Sequence, residues 1–237
     1  MKIRVINPVP NAIGTSYSKD IARLTEKARS GTDLSFCYID QGKNSIESAY
    51  EDALAVPGTI RAAIKAEQEG MDAIVINCTS DTGLSPIREC VQIPVVAPTI
   101  SSMYLAAQLA HRFSILTFLE RTRVRFEEIA WNCGLSHRLA SVRSIEVPLT
   151  DIIHGKELVK NLFTIGKICI EIDGAHALIM GCTAFELVSN QLRDVFAQSG
   201  IPVQLLDPYS IALHLAEDLV EMGISQSKLT YPFPKAI

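Results

Sequence analysis

One stretch of this sequence occurs twice, and the repeat limits the folds that the chain can adopt. Residues 72–79 (DAIVINCT) and 175–183 (AHALIMGCT) are both apolar runs of strand length that end in Cys-Thr. A helix-like segment and a further apolar strand follow each copy, and these later strands are 93–98 and 201–208. We interpret the pattern as an internal duplication that presents one thiol from each half, Cys78 from the first and Cys182 from the second.

Strands and helices alternate through both halves. The predicted strands are 3–6, 34–39, 73–76, 93–98, 113–118, 141–147, 177–180 and 201–208, and the predicted helices are 16–28, 45–50, 56–69, 121–132 and 158–173. The strands are continuous apolar runs, which is typical of parallel strands covered on both faces. We therefore predict an α/β fold of two similar doubly wound parallel-sheet lobes, 1–98 with 209–237 and 99–208, with the active site in the cleft between them.

The ends of the strands carry the candidate functional residues. In doubly wound sheets, ligands bind beyond the carboxyl ends of the strands. Asn7, Cys78, Thr117 and Cys182 all lie at such ends. These positions predict a substrate site built from both halves.

Composition excludes several other classes of function. A net charge of -4 with 48% hydrophobic residues, and with no basic run, favours a small-molecule substrate over nucleic acid or a membrane surface. No apolar run approaches the roughly 20 residues of a membrane helix, and the N-terminus lacks an export-signal pattern. The six cysteines are therefore expected to be reduced thiols in a cytoplasmic protein. Their spacing, without CxxC or HExxH, predicts no metal site.

Two thiols at equivalent strand ends are suited to proton transfer. Where a strand passes to a helix, free amides and the helix dipole are expected to lower a thiol pKa. One thiolate and one thiol on opposite sides of a carbon can invert its configuration without a cofactor. The hydroxyls of Thr79, Ser80 and Thr183, with nearby amides, are candidates to hold a carboxylate or imide oxygen.

A purely structural role is the competing interpretation, because cysteine is a common small buried residue. Equivalent positions in a repeat, each followed by threonine, favour function for Cys78 and Cys182. The other four cysteines lack this setting, and we interpret them as packing residues: Cys37, Cys90, Cys133 and Cys169.

Several further segments resemble one family over nearly the whole chain. They are Ile6-Asn-Pro8, Ser45-Ile-Glu47 with Tyr50 and Glu51, residues 55–58 (AVPG), Gly83-Leu84 with Arg88-Glu89, and residues 112–117 (RFSILT) with Arg121-Thr122. With the paired cysteines they resemble the aspartate/glutamate/hydantoin racemase superfamily, in its hydantoin and allantoin racemase branch. The resemblance implies a cofactor-independent enzyme in which Cys78 and Cys182 are the base and acid pair. It also implies a substrate pocket lined by Asn7, Thr79, Ser80, Thr117 and Thr183.

Three departures from that branch bear on the substrate. Val9-Pro10 replaces the polar pair of the family's first loop, and Phe118 replaces the second threonine of a Thr-Thr pair. Thr183 after Cys182 is more similar to the Gly-Cys-Thr of amino-acid racemases than to the Gly-Cys-Ala or Gly-Cys-Gly of typical hydantoin racemases. The leading hypothesis is a racemase of 5-substituted hydantoins or allantoin, and an aspartate or glutamate racemase is the nearest alternative.

Two further alternatives stay open. One is a decarboxylase or cis–trans isomerase of the same superfamily, although decarboxylase relatives typically keep only one of the two cysteines. The other is a non-catalytic small-molecule binding protein. The apolar tail at 231–234 (YPFP) is expected to pack either on another subunit or on its own lobe, and we predict a homo-oligomer.

Overall fold

The computed structural model describes residues 1–10, 17–147 and 155–235, with the backbone alone for 17–20. In these residues the strands form two four-stranded sheets in which every paired strand is parallel to its neighbour. Helices connect successive strands, as parallel pairing requires. The predicted α/β fold with two parallel-sheet halves is confirmed.

The first sheet has the order β2-β1-β3-β4. Its strands are β1 (Lys2–Asn7), β2 (Asp33–Tyr38), β3 (Ala73–Ile76) and β4 (Val95–Val96). The helices of this half are α1 (Tyr17–Thr25), α2 (Ala49–Gln68) and α3 (Leu84–Cys90). Strand β3 is buried at every residue, because helices cover both faces of a sheet of this kind.

The second sheet has the order β6-β5-β7-β8, so its four strands are arranged as the four strands of the first sheet are. Its strands are β5 (Phe113–Thr117), β6 (Leu139–Ser144), β7 (Ala177–Met180) and β8 (Gln204–Leu206). The remaining helices are α4 (Pro98–Leu109), α5 (Arg123–Asn132), α6 (Lys156–Glu171), α7 (Ser189–Gln198) and α8 (Pro208–Met222).

The registers of the two sheets agree residue by residue. Ile6 pairs with Ile76 at the end of β1 and β3, and Leu116 pairs with Met180 at the end of β5 and β7. In each sheet the connections that leave these two central strands run to opposite edges of the sheet. Doubly wound sheets bind ligands at the place where the strand order reverses in this way.

Backbone contacts divide the chain into two compact units. Unit 1 is Met1–Pro98 with Ser210–Ile237, and unit 2 is Thr99–Tyr209. The predicted lobes differ from these units in the placement of Tyr209, which groups with unit 2. Unit 1 is therefore made from both ends of the sequence, whereas unit 2 is one continuous run.

Two sequence predictions about helices are wrong. The segments 45–50 and 56–69 belong to one helix, α2, which continues through Pro57. Pro57 removes one helical hydrogen bond, but it lies on the exposed side of α2, where solvent can satisfy the carbonyl left without a donor. The helix begins at the N-cap Ser48, whose hydroxyl accepts from the Glu51 amide at 3.4 Å, rather than at Ser45. The predicted helix 158–173 was extended too far at its end, because α6 ends at Glu171 and the next residue, Ile172, is 74% exposed.

The C-terminal segment covers the open edge of the first sheet. The Val95 amide donates to the Gln226 side-chain oxygen at 3.1 Å, and the Gln226 side-chain amide donates to the Ile93 carbonyl at 2.9 Å. The Val95 carbonyl accepts from the Arg88 guanidinium at 3.0 Å. Edge strands with unpaired backbone groups invite pairing with other chains, so these side chains close the edge of β4.

The apolar tail lies on its own unit. Arg88 stacks over the Tyr231 ring at 5.4 Å, and the Lys228 ammonium lies 4.0 Å from the centre of the Phe233 ring. Packing of the tail on its own lobe, one of the two expectations, is thus observed, and contact of the tail with another subunit stays a prediction. The homo-oligomer stays a prediction.

The described residues contain neither a membrane span nor a cluster of metal-ligating side chains. No helix there has the length and apolar character that crossing a membrane requires. In the same residues, no three side chains of His, Cys, Asp or Glu are grouped as ligands for a metal ion.

Candidate active site

The first thiol lies in a turn beyond the end of β3. The Asn77 amide still pairs with the Ile6 carbonyl at 2.8 Å, so Cys78 is the first residue beyond the sheet. The Asp81 amide then donates to the Cys78 carbonyl at 3.0 Å, with Asp81 at φ +52° and Gly83 at φ +70°. Helix α3 begins only after this turn.

Cys78 is partly exposed and packs, as Val9 does, against the small apolar cluster of Ile39, Ile46 and Ala55. Burial raises the pKa of the Cys78 thiol. Hydrogen bonds from the amide and hydroxyl of Ser80 and from the hydroxyl of Thr82 offset part of this effect. The lowered thiol pKa expected from free amides and a helix dipole is therefore wrong for Cys78, because burial outweighs the hydrogen bonds from the turn at 79–83.

The second thiol has the equivalent place in unit 2. The Gly181 amide donates to the Leu116 carbonyl at 2.7 Å, matching the Asn77 pairing in the first sheet. Cys182 follows as the N-cap of a 3₁₀ turn, Thr183–Val188, which leads directly into α7. Cys182 is 6% exposed and packs in the main apolar cluster of unit 2. The two thiols thus have the same position in the sheet and different turns after it.

Gly181 is required by the close approach of two strand ends. A Cβ at this position would lie 2.8 Å from the Leu116 carbonyl oxygen and 2.9 Å from Ile115 Cγ2. The equivalent residue of the first half is Asn77, which carries a full side chain. The glycine before Cys182 is therefore a packing requirement of unit 2.

Asn7 lies at the end of β1 and is buried. Its side-chain amide donates to the Cys37 carbonyl at 3.3 Å, and its side-chain oxygen accepts from the Asn77 side chain at 2.8 Å. The second bond ties Asn7 to the residue directly before Cys78. The predicted pair Asn7 and Cys78 is therefore brought to one edge of the first sheet.

Thr117 has the corresponding place at the end of β5 and is fully buried. Its hydroxyl lies 2.8 Å from the Thr122 hydroxyl, which itself donates to the Leu119 carbonyl at 2.7 Å. Thr122 has a single hydroxyl hydrogen, so Thr117 is the donor of the pair. This bond fixes Thr117 beside the 3₁₀ turn that precedes α5.

The remaining predicted site residues lie beside the thiols. Thr79 is buried, whereas Ser80 and Thr183 are partly exposed. Ser80 contacts the Cys78 sulfur directly, as described above. Within unit 1 the structure groups Asn7, Cys78, Thr79 and Ser80, and within unit 2 it groups Thr117, Cys182 and Thr183. Joint action of the two groups on one substrate stays a prediction.

Sequence reasoning missed two residues of the first group. The fully buried Thr82 donates its hydroxyl hydrogen to the Asp52 carboxylate at 2.6 Å and also contacts the Cys78 thiol. Asp52 lies in the first turn of α2, thirty residues earlier. The capping pattern at 48–51 could have placed Asp52 at a helix start, but no local signal pairs it with Thr82.

The four other cysteines have ordinary packing positions. Cys169 is fully buried on α6 beside the Ser141 hydroxyl at 3.7 Å, and burial raises the pKa of its thiol. Burial also raises the pKa of Cys37 within β2. Cys90 and Cys133 are partly exposed at the ends of α3 and α5. The assignment of these four to packing is still a prediction.

Known proteins resemble the chain over its full length. A family model described as Asp/Glu/Hydantoin racemase matches residues 3–216. A hydantoin racemase from Pseudomonas sp. (strain NS671) is 35% identical over 99% of this chain and 92% of the relative. A hydantoin racemase from Paenarthrobacter aurescens is 31% identical over 96% and 94%. The solved structure of an allantoin racemase from Klebsiella pneumoniae superposes with a TM-score of 0.88 at 28% identity, covering 100% of this chain and 94% of that one.

Proposed function

Because the chain belongs to the Asp/Glu/hydantoin racemase family and is an isomerase of the racemase type, we propose that it racemises 5-substituted hydantoins or allantoin. In this proposal Cys78 and Cys182 exchange the proton of one substrate carbon and need no cofactor. The observation that carries it is the equivalent placement of the two thiols, each directly beyond the central strand of its sheet.

The proposed reaction begins with one cysteine as thiolate and the other as thiol. The thiolate takes the proton of the ring carbon, so that an S–H bond forms, the C–H bond breaks and its electron pair delocalises into the adjacent carbonyl. The opposite thiol then donates its proton to the other face of the carbon and becomes a thiolate. The protonation states of the two cysteines are then exchanged, which prepares the enzyme for the opposite enantiomer.

The substrate ring and the protein share the work of stabilising the carbanion. In a hydantoin the charge is conjugated with a ring carbonyl and flanked by an amide, which makes the proton easier to remove than in a free amino acid. The amide and hydroxyl of Ser80, the hydroxyls of Thr79 and Thr183, and the side chain of Asn7 are the proposed partners of the ring oxygens. Thr117 is proposed to position the ring from unit 2.

Deuterium transfer in D2O tests the reaction and its substrate together. Single enantiomers of several 5-substituted hydantoins, allantoin, aspartate and glutamate are incubated with the enzyme and followed by polarimetry and NMR. Two-base transfer is expected to place deuterium in the product enantiomer at early times, while the recovered substrate stays unlabelled. One shared base would label both, and that result would contradict the two-thiol mechanism.

Single-cysteine variants assign the roles. Cys78→Ala and Cys182→Ala are each expected to abolish inversion of the hydantoins, because each lacks one of the two proton carriers. Cys90→Ala is the matched control, since it removes a partly exposed thiol that the proposal does not use, and its rate is expected to equal that of the unchanged protein. Retained inversion in either of the first two variants would contradict the proposal.

An acidic amino acid is the second candidate substrate, and one observation favours it. Thr183 after Cys182 is similar to the Gly-Cys-Thr of amino-acid racemases. Exchange and loss of rotation confined to aspartate or glutamate would transfer the assignment to this candidate. Exchange in none of the panel would leave a decarboxylase, an isomerase or a binding protein. The proposed setting for either racemase is a cytoplasmic homo-oligomer.

A further inference from the structure

The Cys78 sulfur lies next to a hydrogen-bonded pair that the mechanism above does not use. The Thr82 hydroxyl contacts the sulfur and donates to the Asp52 carboxylate at 2.6 Å. Thr82 is fully buried, and Asp52 is partly exposed in the first turn of α2. A threonine hydroxyl has one hydrogen to donate and two lone pairs that accept.

Because it has one hydrogen, the Thr82 hydroxyl can make two alternative hydrogen bonds to the Cys78 sulfur, one as acceptor and one as donor. While its hydrogen is on Asp52, its oxygen can only accept from the Cys78 S–H, which suits the thiol. If the hydroxyl rotates toward the sulfur, its hydrogen is donated to the thiolate instead. The same residue can therefore hold the sulfur before and after the proton has moved.

We propose that Thr82 and Asp52 are positioning residues that act through Cys78: Thr82 holds the sulfur in both protonation states, and Asp52 favours the thiol. This proposal rests on the proposed function, in which Cys78 must alternate between acid and base. The Asp52 charge and its bond to Thr82 both favour the proton-carrying state. The Cys78 of the resting enzyme then carries its proton and acts as the proton donor.

The charged groups around Cys78 support the role proposed for Asp52. Among the charged groups, the Asp52 carboxylate raises the pKa of Cys78 most strongly. Three other carboxylates belong to elements around the thiol: the buried Asp81 in the turn, Glu51 in α2 and the exposed Asp40 after β2. The Glu51 carboxylate accepts hydrogen bonds from the two residues just before α2, through the Glu47 amide and the Ser48 hydroxyl.

The first test reads the protonation of Cys78 without any substrate. The rate of alkylation by iodoacetamide is measured as a function of pH at the Cys78 peptide by mass spectrometry. Asp52→Asn keeps an oxygen for the Thr82 hydroxyl and removes the charge, so the alkylation profile is expected to move to lower pH by about one unit. Asp40→Asn removes an exposed charge on a neighbouring element and is expected to leave the profile in place.

The second test reads the positioning of the sulfur during turnover. Thr82→Ser keeps the hydroxyl and is expected to stay within about twofold of the unchanged kcat, whereas Thr82→Val is expected to lose about tenfold or more with little change in KM. Thermal unfolding of both variants shows whether the fold is kept. If Thr82→Val is too unstable to assay, the Asp52→Asn alkylation profile decides the proposal alone.

An Asp52→Asn profile that stays in place or moves to higher pH would overturn the proposal. Equal kcat values for Thr82→Val and Thr82→Ser would overturn it as well. Because the alkylation assay uses no substrate, its result is independent of the racemase assignment. Failure of the deuterium experiment with a shifted alkylation profile would thus reject the proposed reaction and keep the role of Asp52.

Discussion

Replacing Gly181 by alanine is expected to disturb the site through the backbone. The new Cβ would lie 2.8 Å from the Leu116 carbonyl oxygen, 2.9 Å from Ile115 Cγ2 and 3.2 Å from Phe126 Cζ. Favourable contacts between carbon atoms begin near 3.5 Å, so the ends of β5 and β7 must separate by roughly half an ångström. Crowding of this kind destabilises a core by about 1–3 kcal/mol.

The same displacement reaches the chemistry, because Cys182 is the next residue. The 2.7 Å bond between the Gly181 amide and the Leu116 carbonyl fixes where β7 ends, and this is the bond that the new methyl group stretches. A misplacement of 1 Å can reduce a rate by about 10²-fold, so half that distance predicts a loss of about tenfold in kcat. Polarimetry gives kcat, and urea unfolding gives the free energy of unfolding.

Gly166→Ala is the matched control in the same unit. Its Cβ would lie 2.7 Å from Phe196 Cζ and 3.1 Å from Leu178 Cδ1, which are side-chain atoms in the apolar core. We expect a similar loss of stability and an unchanged kcat. A Gly181→Ala protein with unchanged kcat and unchanged stability would refute the reasoning from strand contact.

Three further predictions concern stability. Glu217→Gln is expected to lower the free energy of unfolding by about 2 kcal/mol in urea, because its fully buried carboxylate accepts hydrogen bonds from both a backbone amide and a hydroxyl. The Arg143 guanidinium lowers the pKa of Asp173 in the folded protein. The stability that this pair contributes is therefore complete above about pH 4 and is lost as the pH falls through the lowered pKa of Asp173. Arg143→Met should remove this loss of stability from an acid titration followed by circular dichroism. Gln226→Ala should expose the edge of β4. Hydrogen exchange at the Val95 amide is then expected to be faster, and the exchange rates of the amides in unit 2 are expected to be unchanged.

The paired strands could be predicted from sequence because their cause is local. Residues 73–76 and 177–180 are short apolar runs, and burial on both faces selects such runs in a parallel sheet. The duplication also predicts, without any knowledge of contacts, that Cys78 and Cys182 have equivalent positions. Their shared position beyond the central strands follows from chain order alone.

What sequence could not predict depends on contacts between distant parts of the chain. The pairing of Thr82 with Asp52 spans thirty residues, and neither residue has a periodicity that identifies the other. The raised pKa of Cys78 was missed for a related reason, because burial by surrounding residues outweighs the donors of the local turn. Continuation of α2 through Pro57 likewise depends on which side of the helix faces solvent.

The split of unit 1 between the two ends of the sequence has a consequence for biosynthesis. As the chain leaves the ribosome, residues 99–209 emerge as an uninterrupted unit that can fold, while unit 1 still lacks Ser210–Ile237. Until Gln226 arrives, the outer backbone groups of β4 have no covering side chain from the tail. The nascent protein therefore passes through a stage in which its earliest sheet has an open edge, and a stop codon or a pause shortly before Gln226 would prolong the stage most exposed to aggregation.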